Sequence, residues 1–166
     1  MVKSNLKQGI DGSILLEALI AITITTVGLL GMFALLSKSL GLTRVISDRY
    51  IAGSLGSEGI EIVKNIIDTN ILTASSTPWN KGLTPGAYEV AYNSMNLLPA
   101  SGKPLRFDAA SGLYNYGVGN ETTFQRKLLI DWPSPNEIKA NVFVTWVSRG
   151  GVIGELNVED HFFNWR

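Results

Sequence analysis

Hydrophobic positions fall into three regimes along the chain. From Ala18 to Ser37 the sequence reads ALIAITITTVGLLGMFALLS and contains no charged residue. About 20 residues of helix rise about 30 Å, roughly the hydrocarbon thickness of a bilayer. From Leu42 onward the apolar positions recur every three or four residues, at Leu42, Ile46, Tyr50, Ile60, Val63 and Ile67, with Val45, Leu55 and Ile66 beside them. Arg44, Asp48, Arg49, Glu58, Glu61 and Lys64 fill the intervals, and that spacing describes one face of an α-helix. No proline separates the two regimes. The pattern therefore predicts one helix from Ser13 to about Ile67, on the order of 80 Å long. Its first half suits a membrane and its second half is amphipathic. The polar run Asp68-Thr69-Asn70 and the loop TASSTPWNKGLTPG are expected to stop it.

The third regime alternates with period two. Ala87 to Tyr92 alternates, Pro104–Asp108 and Leu113–Tyr116 flank the turn Ala109-Ala-Ser-Gly112, and Thr123–Asp131 reads as a further strand. Ile138–Ser148 places Val142, Val144 and Trp146 on one face, the turn Arg149-Gly150-Gly151 follows, and Val152–Val158 returns as the partner of a hairpin. The aromatic end, DHFFNWR, is expected to tuck onto the sheet. The fold class is thus α+β: a long N-terminal helix, membrane half plus amphipathic half, packed on a C-terminal antiparallel sheet. A division into residues 1–12, 13–70 (membrane segment 14–37) and 71–166 follows.

Glycines interrupt the helix at 28, 31, 41, 53, 56 and 59, each costing about 1 kcal/mol relative to alanine in a helix interior. Gly53, Gly56 and Gly59, spaced by three, read as a flat track for a sheet pressed against the helix. Gly28 and Gly31 lie at membrane depth, where either flexibility or close helix-to-helix contact accounts for them.

Composition narrows the function classes. The 166 residues carry 14 lysines plus arginines against 14 acids, so no net basic charge is present to neutralise a phosphate backbone, and direct nucleic-acid binding is not expected. With no cysteine and one histidine, disulfides, thiolate metal sites and a histidine cluster are ruled out, and no cofactor is expected. A cleaved signal peptide fits poorly, because the apolar run is long and only Ser37-Lys38-Ser39 resembles a small-x-small site. A buried core helix fits poorly too, since a chain of this size has little protein with which to surround it. A membrane helix remains. The leader MVKSNLKQGIDG is short and carries the free amine, which places the N-terminus inside and the C-terminal domain outside.

Glu17 stands at the head of this helix. An acid near the bilayer centre costs about 2.5–3.5 kcal/mol on insertion scales; near the helix end it snorkels to the interface at lower cost. Its neighbours matter more. Gly12-Ser-Ile-Leu-Leu-Glu17, behind a short polar leader and before the apolar run, resembles the cleavage and N-methylation signal of type IV pilins and of the pseudopilins of type II secretion. The segments GAY, PLRFD, GLYNY, TTFQR and VFVTW, with the aromatic end, look like those of minor pilins. The resemblance implies that a prepilin peptidase cuts between Gly12 and Ser13 and methylates Ser13. It also implies that Glu17 directs assembly. The ammonium of Ser13 would meet a neighbour's Glu17 in low dielectric, and this would set the axial register of adjacent helices. Ser13 stands where phenylalanine is usual, Asp11 where a basic residue is common, and the membrane segment lacks a frequent proline. These departures favour a minor pilin or pseudopilin over a major one.

The expected role is accordingly structural rather than enzymatic. The subunit would lie in the cytoplasmic (inner) membrane as a single-pass protein among lipid, then join other pilin-like subunits, of the same or different kind, in a helical cell-surface or periplasmic filament. The competing class is a membrane-anchored outer domain that binds a ligand or acts as an enzyme on an uncleaved anchor. Candidate catalytic groups are sparse. His161 would have to serve any Ser-His-Asp arrangement, while Asp108, Asp131, Glu155 and Glu159 would have to converge for two-carboxylate hydrolysis. Asn120-Glu-Thr122 is a glycosylation triplet. Trp79, Trp132, Trp146 and Trp165 are expected in the core or against the sheet.

Overall fold

The computed structural model describes residues 5–73, 77–92, 94, 96–148 and 151–164, with side chains from Gly12 onward. Helix α1 runs Asn5–Thr73. The chain forms two compact units, Met1–Arg44 and Val45–Arg166.

The described residues of the first unit are all helix, with every described side chain from Gly12 to Arg44 exposed. Three threonines inside the apolar run would be a liability in hydrocarbon, yet each hydroxyl donates to its own helix. Thr23 bonds the Leu19 carbonyl at 2.7 Å, Thr25 that of Ala21 at 2.8 Å and Thr26 that of Ile22 at 2.8 Å. Their polar atoms are satisfied internally, as an apolar solvent demands. The helix is long and apolar enough to cross a membrane.

In the second unit the end of α1 packs on a sheet, giving the α+β architecture that the pattern predicts. The strands are β1 (Gly86–Glu89), β2 (Leu98–Pro99), β3 (Arg106–Asp108), β4 (Leu113–Asn115), β5 (Asn120–Glu121), β6 (Gln125–Ser134), β7 (Glu137–Val147) and β8 (Ile153–Phe163). One five-stranded antiparallel sheet has the order β2-β1-β6-β7-β8, and a three-stranded sheet has the order β4-β3-β5. Period-two alternation buries Phe124, Leu128 and Ile130 near or along β6, and Ile138, Ala140, Val142, Val144 and Trp146 along β7. These side chains meet Ala52, Leu55, Ile62, Val63 and Ile67 of α1 in one core. A line of rings, Phe107, Tyr114, Phe124 and Trp146, with centroids 5.1, 6.2 and 6.2 Å apart, joins the small sheet to this core.

Several expectations change. The helix passes Asp68-Thr69-Asn70 because Asn70 is recruited from within it: its side-chain amide donates to the carbonyls of Trp79 (3.1 Å) and Lys81 (2.8 Å), while Ile71 packs on the core. The first fully buried helix residue is Ala52, with Ile51 half-buried beside it, whereas Leu42, Ile46 and Tyr50 stay exposed, Tyr50 by 80%. The aromatic end does not tuck onto the sheet from outside. It enters the sheet instead, since β8 continues through Phe163 in unbroken register with β7. Trp132 is 39% exposed and donates its indole N–H to the Leu83 carbonyl at 2.9 Å. Trp146 is buried and Trp79 half-buried against the core, whereas Trp165 and Arg149-Gly150 lie outside the described residues. The short strands β2 and β5 have no periodic signal.

Two devices hold α1 to the sheet. The first is close approach. A Cβ on Gly56 would sit 2.6 Å from Val158 Cγ2, and one on Gly59 would sit 2.8 Å from both Val142 methyls. Gly53 has nothing within 4 Å, so the contact track has two glycines, not three. The second device is Arg126. Its position in the alternation points it inward beside Leu128 and Ile130, and its side chain is wholly enclosed. It donates through Nη1 to the Leu55 carbonyl at 3.0 Å and through Nη2 to the Val90 carbonyl, and it lies 3.1 Å from Glu58 Oε1. One guanidinium thereby ties β6 to the helix and to the end of β1.

Gly56→Ala and Gly59→Ala are expected to destabilise the second unit by about 1–3 kcal/mol through overpacking, despite the better helix propensity of alanine. Gly53→Ala should instead gain up to about 1 kcal/mol. Denaturant unfolding in detergent would compare them, and equal behaviour of all three would refute the track. By the same assay Arg126→Met should cost about 3–5 kcal/mol, because a partly buried carboxylate loses its counter-charge. Adding Glu58→Gln should recover part of that loss.

Candidate assembly site at the head of the apolar helix

Gly12, Ser13 and Glu17 all lie within α1, because the helix begins at Asn5 and runs through the Gly12-Ser13 bond. Cleavage at that bond, were it to occur, would require local unwinding, since a protease needs an extended strand of substrate. Gly12 is surrounded by open space: a Cβ placed on it would meet nothing within 4 Å. Ser13 and Glu17 are four residues apart and share a helix face. Glu17 is exposed and, among the described residues, has no hydrogen-bond or ion-pair partner. Apolar side chains surround it, with Ile14, Leu15, Leu16, Leu19 and Ile20 each at least half exposed. The Asp11 side chain lies outside the described residues.

The other carboxylates are not brought together. Asp108 accepts from the Ala110 amide (3.0 Å) and the Ser111 hydroxyl (2.7 Å), shaping the β3–β4 turn. Asp131 on β6 is separated from β8 by β7. Glu155 and Glu159 share one face of β8 but stand four residues apart, about 13 Å along a strand. Asn120 is exposed on β5. Among the described residues no group of three or more histidines and acids is placed to hold a metal ion.

No protein-family model, no curated protein and no solved structure matches this chain.

Two charged clusters outside the predicted site emerge only in three dimensions. Glu89, buried at the end of β1, accepts from the Ser101 amide and hydroxyl, both at 2.6 Å. Burial opposes its charge, but these bonds and those from the following loop outweigh it and hold the carboxyl below its ordinary value. The second cluster lies on the sheet face away from the helix. His161 Nδ1 is 2.6 Å from Glu137 and its Nε2 is 3.2 Å from Glu159. Glu159 also takes Lys139 at 2.8 Å and Asn141 at 2.6 Å. The bond from Lys139, followed by those from Asn141 and His161, holds Glu159 down at about 2. Glu137, then Glu159, raise His161. Among the described residues no serine hydroxyl is bonded to His161, whose ring faces carboxylates on both sides.

The raised His161 stabilises the fold most below its ordinary value of 6.5, and that contribution disappears as pH climbs through the raised value. The depressed Glu159 contributes above its ordinary 4.5 and loses this as pH falls towards about 2. Amide exchange at the C-terminal end of β8 should therefore quicken as pH climbs from below 6.5 through the raised value of His161, after correction for intrinsic rates. His161→Gln should flatten the dependence; a variant with the same pH profile as the wild type would exclude the histidine as its source.

Proposed function

We propose that this chain is a structural subunit of a type IV pilin-like filament, a minor pilin or pseudopilin, cut after Gly12 by a prepilin peptidase and methylated on Ser13. The observation that carries this reading is Glu17. An exposed carboxylate without a partner among the described residues sits one helical turn past Ser13, at the head of a helix whose described apolar side chains are exposed. A charge left so in hydrocarbon is unfavourable, and a neighbouring ammonium relieves it. The exposed apolar surface asks for the same remedy, burial against like helices, which lipid supplies only before assembly. The helix-on-sheet unit is compatible with a pilin-like outer domain. On this reading the protein waits as a single-pass subunit in the cytoplasmic membrane, N-terminus inside, and then enters a periplasmic or cell-surface filament beside other pilin-like subunits.

Mass spectrometry of the native protein tests the processing. The expected N-terminus is a methylated Ser13, whereas an intact leader on the filament-associated or membrane-bound protein would replace this reading with that of an uncleaved anchor. Glu17→Ala tests the assembly role. The variant should still insert in the membrane but enter filaments poorly, about tenfold less for each 1.4 kcal/mol of pairing lost. Undiminished incorporation would remove the role given to Glu17.

A further inference from the structure

The two edges of the large sheet are built differently. At one edge β2 is only Leu98–Pro99, and a two-residue strand with a proline offers little to pair with. At the other edge β8 has 11 residues, no proline and unbroken register with β7. Long unprotected edges of this kind are templates for a further strand.

Register identifies the groups on offer. Ser148 donates to the Val152 carbonyl and Asn164 to the Asn136 carbonyl, both at 2.9 Å, so even-numbered residues of β8 turn their backbone groups towards β7. Odd-numbered residues turn theirs outward. At His161 the outward amide is already taken by its neighbour Asp160, 2.8 Å away. The open stretch is therefore Ile153, Glu155, Asn157 and Glu159, to which no described strand pairs.

Side chains along this edge select the occupant. On the outer face stand Glu155 and Glu159, Glu155 without a partner among the described residues. On the helix face Leu156 and Phe162 are only partly covered. Strands β7 and β8 together hold Glu137, Glu155, Glu159 and Asp160 against Lys139, four acids minus one lysine, a net −3 with His161 neutral. A second copy of this edge would bring a further −3 and be repelled. A strand with basic side chains on one face and apolar ones on the other would meet the carboxylates and cover Leu156.

We propose that the outer edge of β8 binds an extended segment of a different protein, alternating basic and apolar residues, as a sixth strand of the sheet. The proposal does not depend on the assembly role of Glu17.

The full-length protein in detergent micelles can be titrated with a short acetylated, amidated peptide alternating lysine and valine. Amide exchange at Glu155, Asn157 and Glu159 should slow by about tenfold or more, while a glutamate–valine peptide should have no effect. Asn157→Pro removes an outward N–H without breaking a bond to β7 and should abolish protection. Glu155→Lys, which leaves the backbone untouched, should weaken the lysine peptide's protection and admit the glutamate peptide. Unchanged exchange with the lysine peptide, equal protection by both peptides, or concentration-dependent protection without any peptide would each overturn the proposal, the last by assigning the edge to a second copy.

Discussion

The helix-on-sheet unit depends on one buried cation. Arg126 occupies a strand position that alternation reserves for a core side chain, and its guanidinium reaches the Leu55 carbonyl and Glu58 of the helix and the Val90 carbonyl beyond β1. Hydrophobic packing between helix and sheet is largely non-directional, so it tolerates sliding and rotation. A planar group with fixed donor directions does not. The same site shows why such a group is not simply a source of stability: Arg126 Nε has no acceptor among the described residues, and desolvating the charge offsets much of what its bonds contribute. Its structural consequence is position. It sets which turn of the helix faces which strand.

That position makes the glycines intelligible. Leu55, whose carbonyl receives Arg126, is one residue from Gly56 and four from Gly59, where Val158 and Val142 press against the helix backbone. Bare backbone brings the sheet close enough for a guanidinium rooted on β6 to reach a helix carbonyl that already serves its own helix. The carbonyl oxygen has a second lone pair, and close approach exposes it. The cost of glycine in a helix is thus repaid by contacts that any larger residue would block.

Long elements with strict periodicity were legible from sequence. The apolar run, the 3.6-residue spacing beyond it and the alternation in β6, β7 and β8 each specify an element without tertiary help. The inward position of Arg126 was not anticipated: it stands in line with Phe124, Leu128 and Ile130, but its acceptors lie on α1 and beyond β1, far away in sequence. What escaped was set by partners distant in sequence. Ile46 and Tyr50 belong to the apolar periodicity, but they lie across the helix from Asp48, which meets Ser148 at the end of β7. Asn70 looked like a helix stop until loop carbonyls nine and eleven residues away claimed its amide. Strands of two residues, β2 and β5, are defined wholly by the neighbours they join. The cluster at His161 needed the β7–β8 register, which aligns Lys139 with His161 and Asn141 with Glu159.

Arg126 and Glu17 make an instructive pair, because each is a lone charge on an otherwise apolar face. Arg126 finds its acceptors within the chain, so its role is complete when the unit folds. Glu17 finds none among the described residues. A charge with internal partners fixes a fold; a charge without them is a demand on the surroundings. In water that demand is trivial. Beside Ile14, Leu15 and Leu16, on a helix apolar enough for a bilayer, it is not. Either the interface solvates the carboxylate, which needs only snorkelling, or another chain does. On the proposed reading, a Ser13 ammonium created by cleavage would favour the second, because the cation and the anion would then arise on the same helix face, one turn apart. Neighbouring helices can pair them reciprocally only at a particular axial offset.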